Sequence, residues 1–267
     1  MNSSKCSLWV CLALGCCLST TKSMANSVSI HPVADTTLQA SYPNQNFGDG
    51  TSFTAGDRRQ GGITRALMLF DIAANVPANA TIDSVSLTLH VVRTPSGGLN
   101  STFDLHQMTD SWGEGSGSDH GGSATGINQA NWNLRFAPGV FWTRPGGDFV
   151  STVSASTSVA GNGAYTFAST PNLVRDVQGW VSEPTLNFGW ILTSELESTA
   201  TSIRRFGSRD AGADAPTLTI NFTPVPEPRT WTLVALGGLF FCSQVFCRNR
   251  RARVARGPVS NDRTSPS

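Results

Sequence analysis

Val85-Ser86-Leu87-Thr88-Leu89-His90-Val91 alternates apolar and polar residues at every step. A period of two marks a β-strand with one face in a core and the other turned outward. On this pattern His90 belongs to the outer, polar face. Working outward, Thr217-Leu218-Thr219-Ile220-Asn221-Phe222 repeats the alternation. Ala66 to Ile72 (ALMLFDI) is apolar on both faces, which predicts a central strand covered on both sides. Phe103 with Leu105, and Phe188, Trp190 and Leu192, extend the same pattern. Turn-forming clusters separate these runs, among them Gly48-Asp49-Gly50, Gly61-Gly62 and Pro95 to Gly98.

One stretch has a different period. Leu173, Val174, Val177, Trp180 and Val181 fall on one helical face. Thr170 is placed to cap that helix, Pro171 to occupy its first turn, and Pro184 to stop it. Many short strands with one short helix predict an all-β fold, an antiparallel β-sandwich or jelly roll forming one domain over residues 26–224.

The two ends read differently. Lys5, the apolar run Leu8 to Leu18 and the small residues Ser23-Met24-Ala25 make residues 1–25 a signal peptide, cut after Ala25 by signal peptidase. Val225-Pro226-Glu227-Pro228 leads into an uncharged stretch, 230–247, long enough for a single transmembrane helix. Arg248, Arg250, Arg251 and Arg253 follow as a basic stop, and residues 257–267 form a polar tail. The order Pro-Glu-Pro, apolar span, arginines over 225–256 resembles a PEP-CTERM sorting signal. That resemblance implies processing by an exosortase-like membrane enzyme and a place at the cell surface or in the extracellular matrix.

Charge follows the same partition. The 267 residues carry 19 Lys plus Arg against 18 Asp plus Glu, a net +1, and six Cys. Residues 26–224 hold ten arginines, no lysine, sixteen acids and no cysteine, so this body is acidic at −6. Such a balance argues against a nucleic-acid partner, whose phosphates require a basic face. It also excludes a disulfide framework for the body.

A succession of short motifs runs through the body. It includes Asp35-Thr36-Thr37-Leu38, Asn46-Phe47-Gly48, Arg65 to Asp71, Ser111-Trp112-Gly113-Glu114, Leu173 to Trp180, Phe206-Gly207-Ser208-Arg209 and Pro216-Thr217-Leu218. In this order it resembles the DNRLRE domain family of secreted β-jelly-roll modules, whose relatives include an alginate-binding carbohydrate module. A glycine-rich insert between Trp112 and Trp132 distinguishes this chain.

Nothing in the sequence assembles a recognised catalytic motif. There is no G-x-S-x-G, no H-E-x-x-H and no phosphate-binding glycine loop ending in Lys. The nearest carboxylate pairs, Asp110 with Glu114 and Glu195 with Glu197, lack a rigid scaffold or an aromatic platform, so the body is read as non-enzymatic. No organic cofactor is expected. Asp110, Glu114 and Asp119 offer hard oxygen ligands for Ca²⁺ on a flexible loop, against the plainer reading of a solvated loop. Trp180 and Trp190 are expected in the core. Trp132 and Trp142 lie in loop contexts beside amide or guanidinium groups, as a sugar platform requires, against the plainer reading that they plug the ends of the sandwich. For an acidic polysaccharide the required arginine patch is sought among Arg58, Arg59 and Arg65, or Arg204 and Arg205.

These observations converge on an exported structural or adhesion protein, with a carbohydrate-binding module as the alternative and a glycan lyase or hydrolase as the third reading.

Overall fold

The computed structural model describes residues 24–118 and 121–225. Most of the signal-peptide stretch, Pro226 to Pro228, the apolar stretch 230–247, Arg248, Arg250, Arg251, Arg253 and Asp119 lie outside the described residues. Among the described residues no helix is long and apolar enough to cross a membrane.

Among the described residues fifteen strands follow in chain order. The first five are β1 (Asn26–Ile30), β2 (Ala34–Gln39), β3 (Gln45–Asn46), β4 (Ser52–Asp57) and β5 (Ile63–Leu69). Next come β6 (Thr81–Arg93), β7 (Ser101–Met108), β8 (Ser123–Ala124), β9 (Leu134–Phe136) and β10 (Val140–Phe141). Then follow β11 (Phe149–Val159), β12 (Gly163–Phe167), the helix α1 (Pro171–Ser182), β13 (Trp190–Ser194), β14 (Arg204–Gly207) and β15 (Thr217–Thr223). All pairings are antiparallel. Eleven strands form one sheet in the order β1-β15-β6-β14-β4-β5-β13-β7-β11, with β12 beside β6 and β2 beside β5.

That sheet is folded over on itself. Phe103 on β7 and Phe206 on β14 meet edge to face at 5.4 Å. In a flat sheet four strand spacings, roughly 19 Å, would separate them. The fold line is β4. Phe53 and Ala55 pair with β14 in one layer, while Gly56 and Asp57 pair with β5 in the other. Gly56 turns the chain at φ +109°, and a side chain there would press on the Ile203 backbone at 2.7 Å. The expected sandwich is therefore two layers of one bent sheet.

The layers enclose the core that alternation predicts. Val85, Leu87, Leu89 and Val91 of β6 and Leu218, Ile220 and Phe222 of β15 face Ala66, Met68, Phe103, Leu105, Trp190 and Leu192. Helix α1 closes this core. Thr170 accepts a hydrogen bond from the Leu173 N–H at 3.0 Å, and Leu173, Val177, Trp180 and Val181 are buried. Trp180 packs against Trp190 at 4.5 Å. Pro184 opens a short 3-10 turn after the helix.

A second apolar cluster lies on the outer face of the β2-β5-β13-β7 layer. Leu38, Leu67 and Ile191 point there, one residue out of phase with their core-facing neighbours. The chain between β7 and β11 roofs this face with Trp112, Ala130 and Trp142. Central strand β5 is thus covered on both sides, as its composition predicts. Phe188 departs from expectation: it packs on the outer cluster, out of phase with Trp190. Gly189, at φ +78°, breaks the alternation between them, and a side chain there would strike the Met68 carbonyl at 2.0 Å.

Candidate functional site

Strand parity separates two adjacent arginines on β14. Arg204 points inward and has no exposed surface. Its guanidinium donates to the carbonyls of Ala160, Leu99, Ser202 and Ile203 at 2.6–3.3 Å, and burial pushes its pKa down. Arg205 points outward. On the ladder it lies directly across from Arg93 of β6 on one side and Thr54 of β4 on the other.

Two guanidinium-bearing residues are thus set opposite each other on neighbouring strands. More positive charge converges on them from the β4–β5 turn. Arg58 donates to the Gln39 side chain at 3.1 Å and stands 5.4 Å over the ring of Tyr42. Tyr42 is 44% exposed. A cleft of about 310 Å³ is lined by Gln39, Thr54, Arg58, Arg93, Ser96 and Arg205. It adjoins a second hollow that reaches Tyr42 and Phe47, and a third that runs along Arg58 and Arg59. Thr54 Oγ1, buried beside the cleft, makes no hydrogen bond among the described residues. No carboxylate among the described residues pairs with Arg58, Arg59 or Arg93. Four of the body's ten arginines thus gather on one surface of an otherwise acidic module.

The arginines grouped by sequence proximity are redistributed. Arg65 leaves the Arg58–Arg59 group and forms a bidentate pair with Glu197 at 2.6 and 3.0 Å. Arg204 is structural. Arg93 and Tyr42 join the groove without having been singled out as ligands. Parity on β14 puts Arg205 outward, but Arg93 shares the parity of core-facing Val91, and only the register shift between the Arg205–Arg93 and Phe206–Val91 pairs turns it out.

The other candidates are placed as follows. Trp142 is a correction: only 4% of it is exposed, and its indole N–H donates to the Asn131 carbonyl at 2.9 Å, so it offers no ring face for stacking. It roofs the outer apolar cluster and does not plug an end of the layers. Trp132 is half-buried, with the Arg65 guanidinium 5.5 Å from its ring. Trp112 is buried and donates to the Phe188 carbonyl at 3.0 Å. His90 is half-exposed and lies 3.6 Å from Asp214.

Asp110 and Glu114 are spent on different partners. Asp110 faces Arg135 at 3.7 Å. Glu114 turns the other way, accepting the Asp35 N–H at 2.9 Å and facing Arg209 at 3.3 Å. Among the described residues no three acidic, histidine or cysteine side chains are grouped to hold a metal ion. Glu197 is engaged by Arg65.

Residues 26–117 match the model of carbohydrate-binding module family 96. The matched span is roughly a third of the chain and covers β1 through β7 with the start of the insert. It supplies Tyr42, Arg58, Arg59 and Arg93 of the groove, while Arg205 comes from outside it. A search of curated proteins finds no match to the chain.

Proposed function

We propose that the β body is a binding module for an acidic extracellular polysaccharide, held in the groove of Arg58, Arg59, Arg93 and Arg205. The carrying observation is the convergence of Arg58, Arg59 and Arg93 on one surface of a net acidic body, with no carboxylate among the described residues paired to them. A polyuronate chain would meet Arg58, Arg59 and Arg93 with charge-assisted hydrogen bonds, and exposed Tyr42 beside Arg58 supplies an apolar face for a sugar ring. Similarity to a carbohydrate-binding module family over residues 26–117 supports the same reading. The role read for this groove is retention of the chain.

The test is affinity electrophoresis of the full chain in alginate and in neutral glucans. Retardation in alginate that weakens with salt is expected, because exposed ion pairs are screened. Arg58→Ala and Arg93→Ala should each weaken it by about 1 kcal/mol, the scale of an exposed ionic contact. Migration unchanged in alginate would reject the reading.

The order of Val225, Pro226, Glu227 and Pro228, the apolar stretch and the arginine run supports a location for this binding. The reading is of a protein exported by its signal peptide, which signal peptidase removes, sorted by an exosortase-like enzyme, and retained at the surface or in a polysaccharide matrix as a structural or adhesive component. Cell fractionation with and without Pro226 to Ser267 tests it. A truncated form that still sediments with membranes would refute sorting by this segment.

A further inference from the structure

On the other side of β5 a second cleft, of about 620 Å³, opens where the roofing insert rejoins β7 and β11. Its walls include Arg65, Asp110, Arg144, Asp148, Phe149 and Ser151. The volume lies in the range of roughly 300–1,000 Å³ typical of small-ligand sites.

The cleft is built on fixed parts. The Asp148 carboxylate accepts the N–H groups of Thr143 and Arg144 at 2.6 and 3.0 Å, and the Asp148 carbonyl accepts from Thr109 at 3.1 Å. This ties the loop to the end of β7. Gly146, at φ +93°, lies so close to Trp132 that a side chain would meet the ring at 2.7 Å. The Gly146 carbonyl accepts from Arg65 at 3.0 Å. Arg65 is itself held between the rings of Trp132 and Phe149, at 5.5 and 5.4 Å, and by Glu197. One wall therefore needs no reordering when a ligand enters.

Other groups at the mouth keep hydrogen-bonding capacity to spare. The Arg144 side chain is exposed and has no partner among the described residues. Asp110 accepts from Thr109 Oγ1 with one carboxylate oxygen and stands 3.7 Å from Arg135 with the other, beyond hydrogen-bonding distance. Ser151 offers an exposed hydroxyl, and Phe149 a partly exposed ring. Donor, acceptor, hydroxyl and ring together suit the alternating hydroxyl and C–H surface of a sugar. The charge differs from that of the arginine groove. Two arginines face two aspartates, so no net field favours a polyanion, and Asp110 repels a uronate carboxylate.

We propose that this cleft is a second glycan site, specific for neutral, hydroxyl-rich saccharide units, separate from the arginine groove. A chain carrying both sites would bind mixed polysaccharides at two points and gain avidity where the spacing permits.

The test uses the full chain with neutral hexasaccharides of glucose, mannose, galactose and xylose, and an oligouronate of equal length, by titration calorimetry. At least one neutral probe should bind. Arg144→Ser, and separately Ser151→Trp to fill the mouth, should weaken that probe tenfold or more and leave the oligouronate affinity unchanged. Arg93→Ala should do the reverse. Unchanged thermal unfolding of Arg144→Ser controls for folding. Binding of no neutral probe, or neutral binding indifferent to both changes, overturns the second site. An unmodified chain that binds a neutral probe but no oligouronate would instead overturn the arginine groove.

Discussion

The backbone N–H of Asp35 donates to the Glu114 carboxylate at 2.9 Å, so strand β2 and the insert meet over two acids. Arg209 completes the junction. Its N–H donates to the Asp35 carboxylate at 2.7 Å, and its guanidinium reaches Glu114 and the Val33 carbonyl. Burial is the main cause that raises Asp35 from 3.8 to about 7, with the Glu114 charge adding to it against the Arg209 hydrogen bond. Burial also raises Glu114.

A pH dependence follows from that junction. Between about pH 4 and 7 the native Asp35 holds a proton that the unfolded chain has released. Stability contributed by this residue is thus full below pH 4 and is lost as the pH rises to about 7. Each pKa unit corresponds to about 1.4 kcal/mol, so the loss is on the order of 4 kcal/mol. Asp35→Asn keeps an acceptor for Arg209 and removes the titration. Thermal unfolding from pH 4.5 to 8.5 should show a flatter profile and higher stability for this variant at pH 8. An unaltered slope would contradict the assignment.

Arg204 provides a test of the fold line. Arg204→Met keeps much of the volume but leaves the carbonyls of Ala160, Leu99, Ser202 and Ile203 without that donor. Loss of several buried hydrogen bonds should cost about 3–5 kcal/mol. Urea unfolding measures it, and a loss below about 1 kcal/mol would show that the carbonyls find other donors.

The roofing role of Trp142 separates it from Trp132. Trp142→Ala removes a buried ring and should cost about 3–5 kcal/mol. Trp132→Ala should cost less, because its ring is half-exposed and Arg65 keeps Glu197. Equal losses in denaturant titrations would argue against this distinction.

Asn46 fastens the insert to the loop that carries Tyr42 and Phe47. Its amide donates to the carbonyls of Glu114 and Ala130 at 2.6 and 2.9 Å, and its oxygen accepts from Gly48 and Gly117. Asn46→Asp has the same shape but sets a carboxylate oxygen against two carbonyls. Hydrogen exchange across residues 42–48 and 112–117 should accelerate in this variant while β6 and β15 stay protected. Protection unchanged in the insert would refute the fastening role.

Local order was legible in the sequence because it is carried by neighbours. Alternation placed Leu87 and Leu89 inside, and the Thr170 cap with the Leu173, Val177 and Trp180 face gave α1. The same alternation applied to β14 distinguishes Arg204 from Arg205, since adjacent residues on a strand point to opposite faces. Where one glycine breaks the phase, as at Gly189, the pattern misplaced Phe188.

The sequence by itself determined an acidic, cysteine-free, all-β body with one helix, between an apolar N-terminal run and a Pro-Glu-Pro, apolar, arginine-rich end. Only the tertiary structure decided which outer faces meet. Arg93 and Arg205 come from distant parts of the chain, and β-pairing alone sets them side by side. The covering of Trp142 and the capture of Arg65 by Glu197 likewise depend on how the insert lies over β5. Periodicity reports which way a side chain points; what it meets there is set by long-range pairing, which no local spacing encodes.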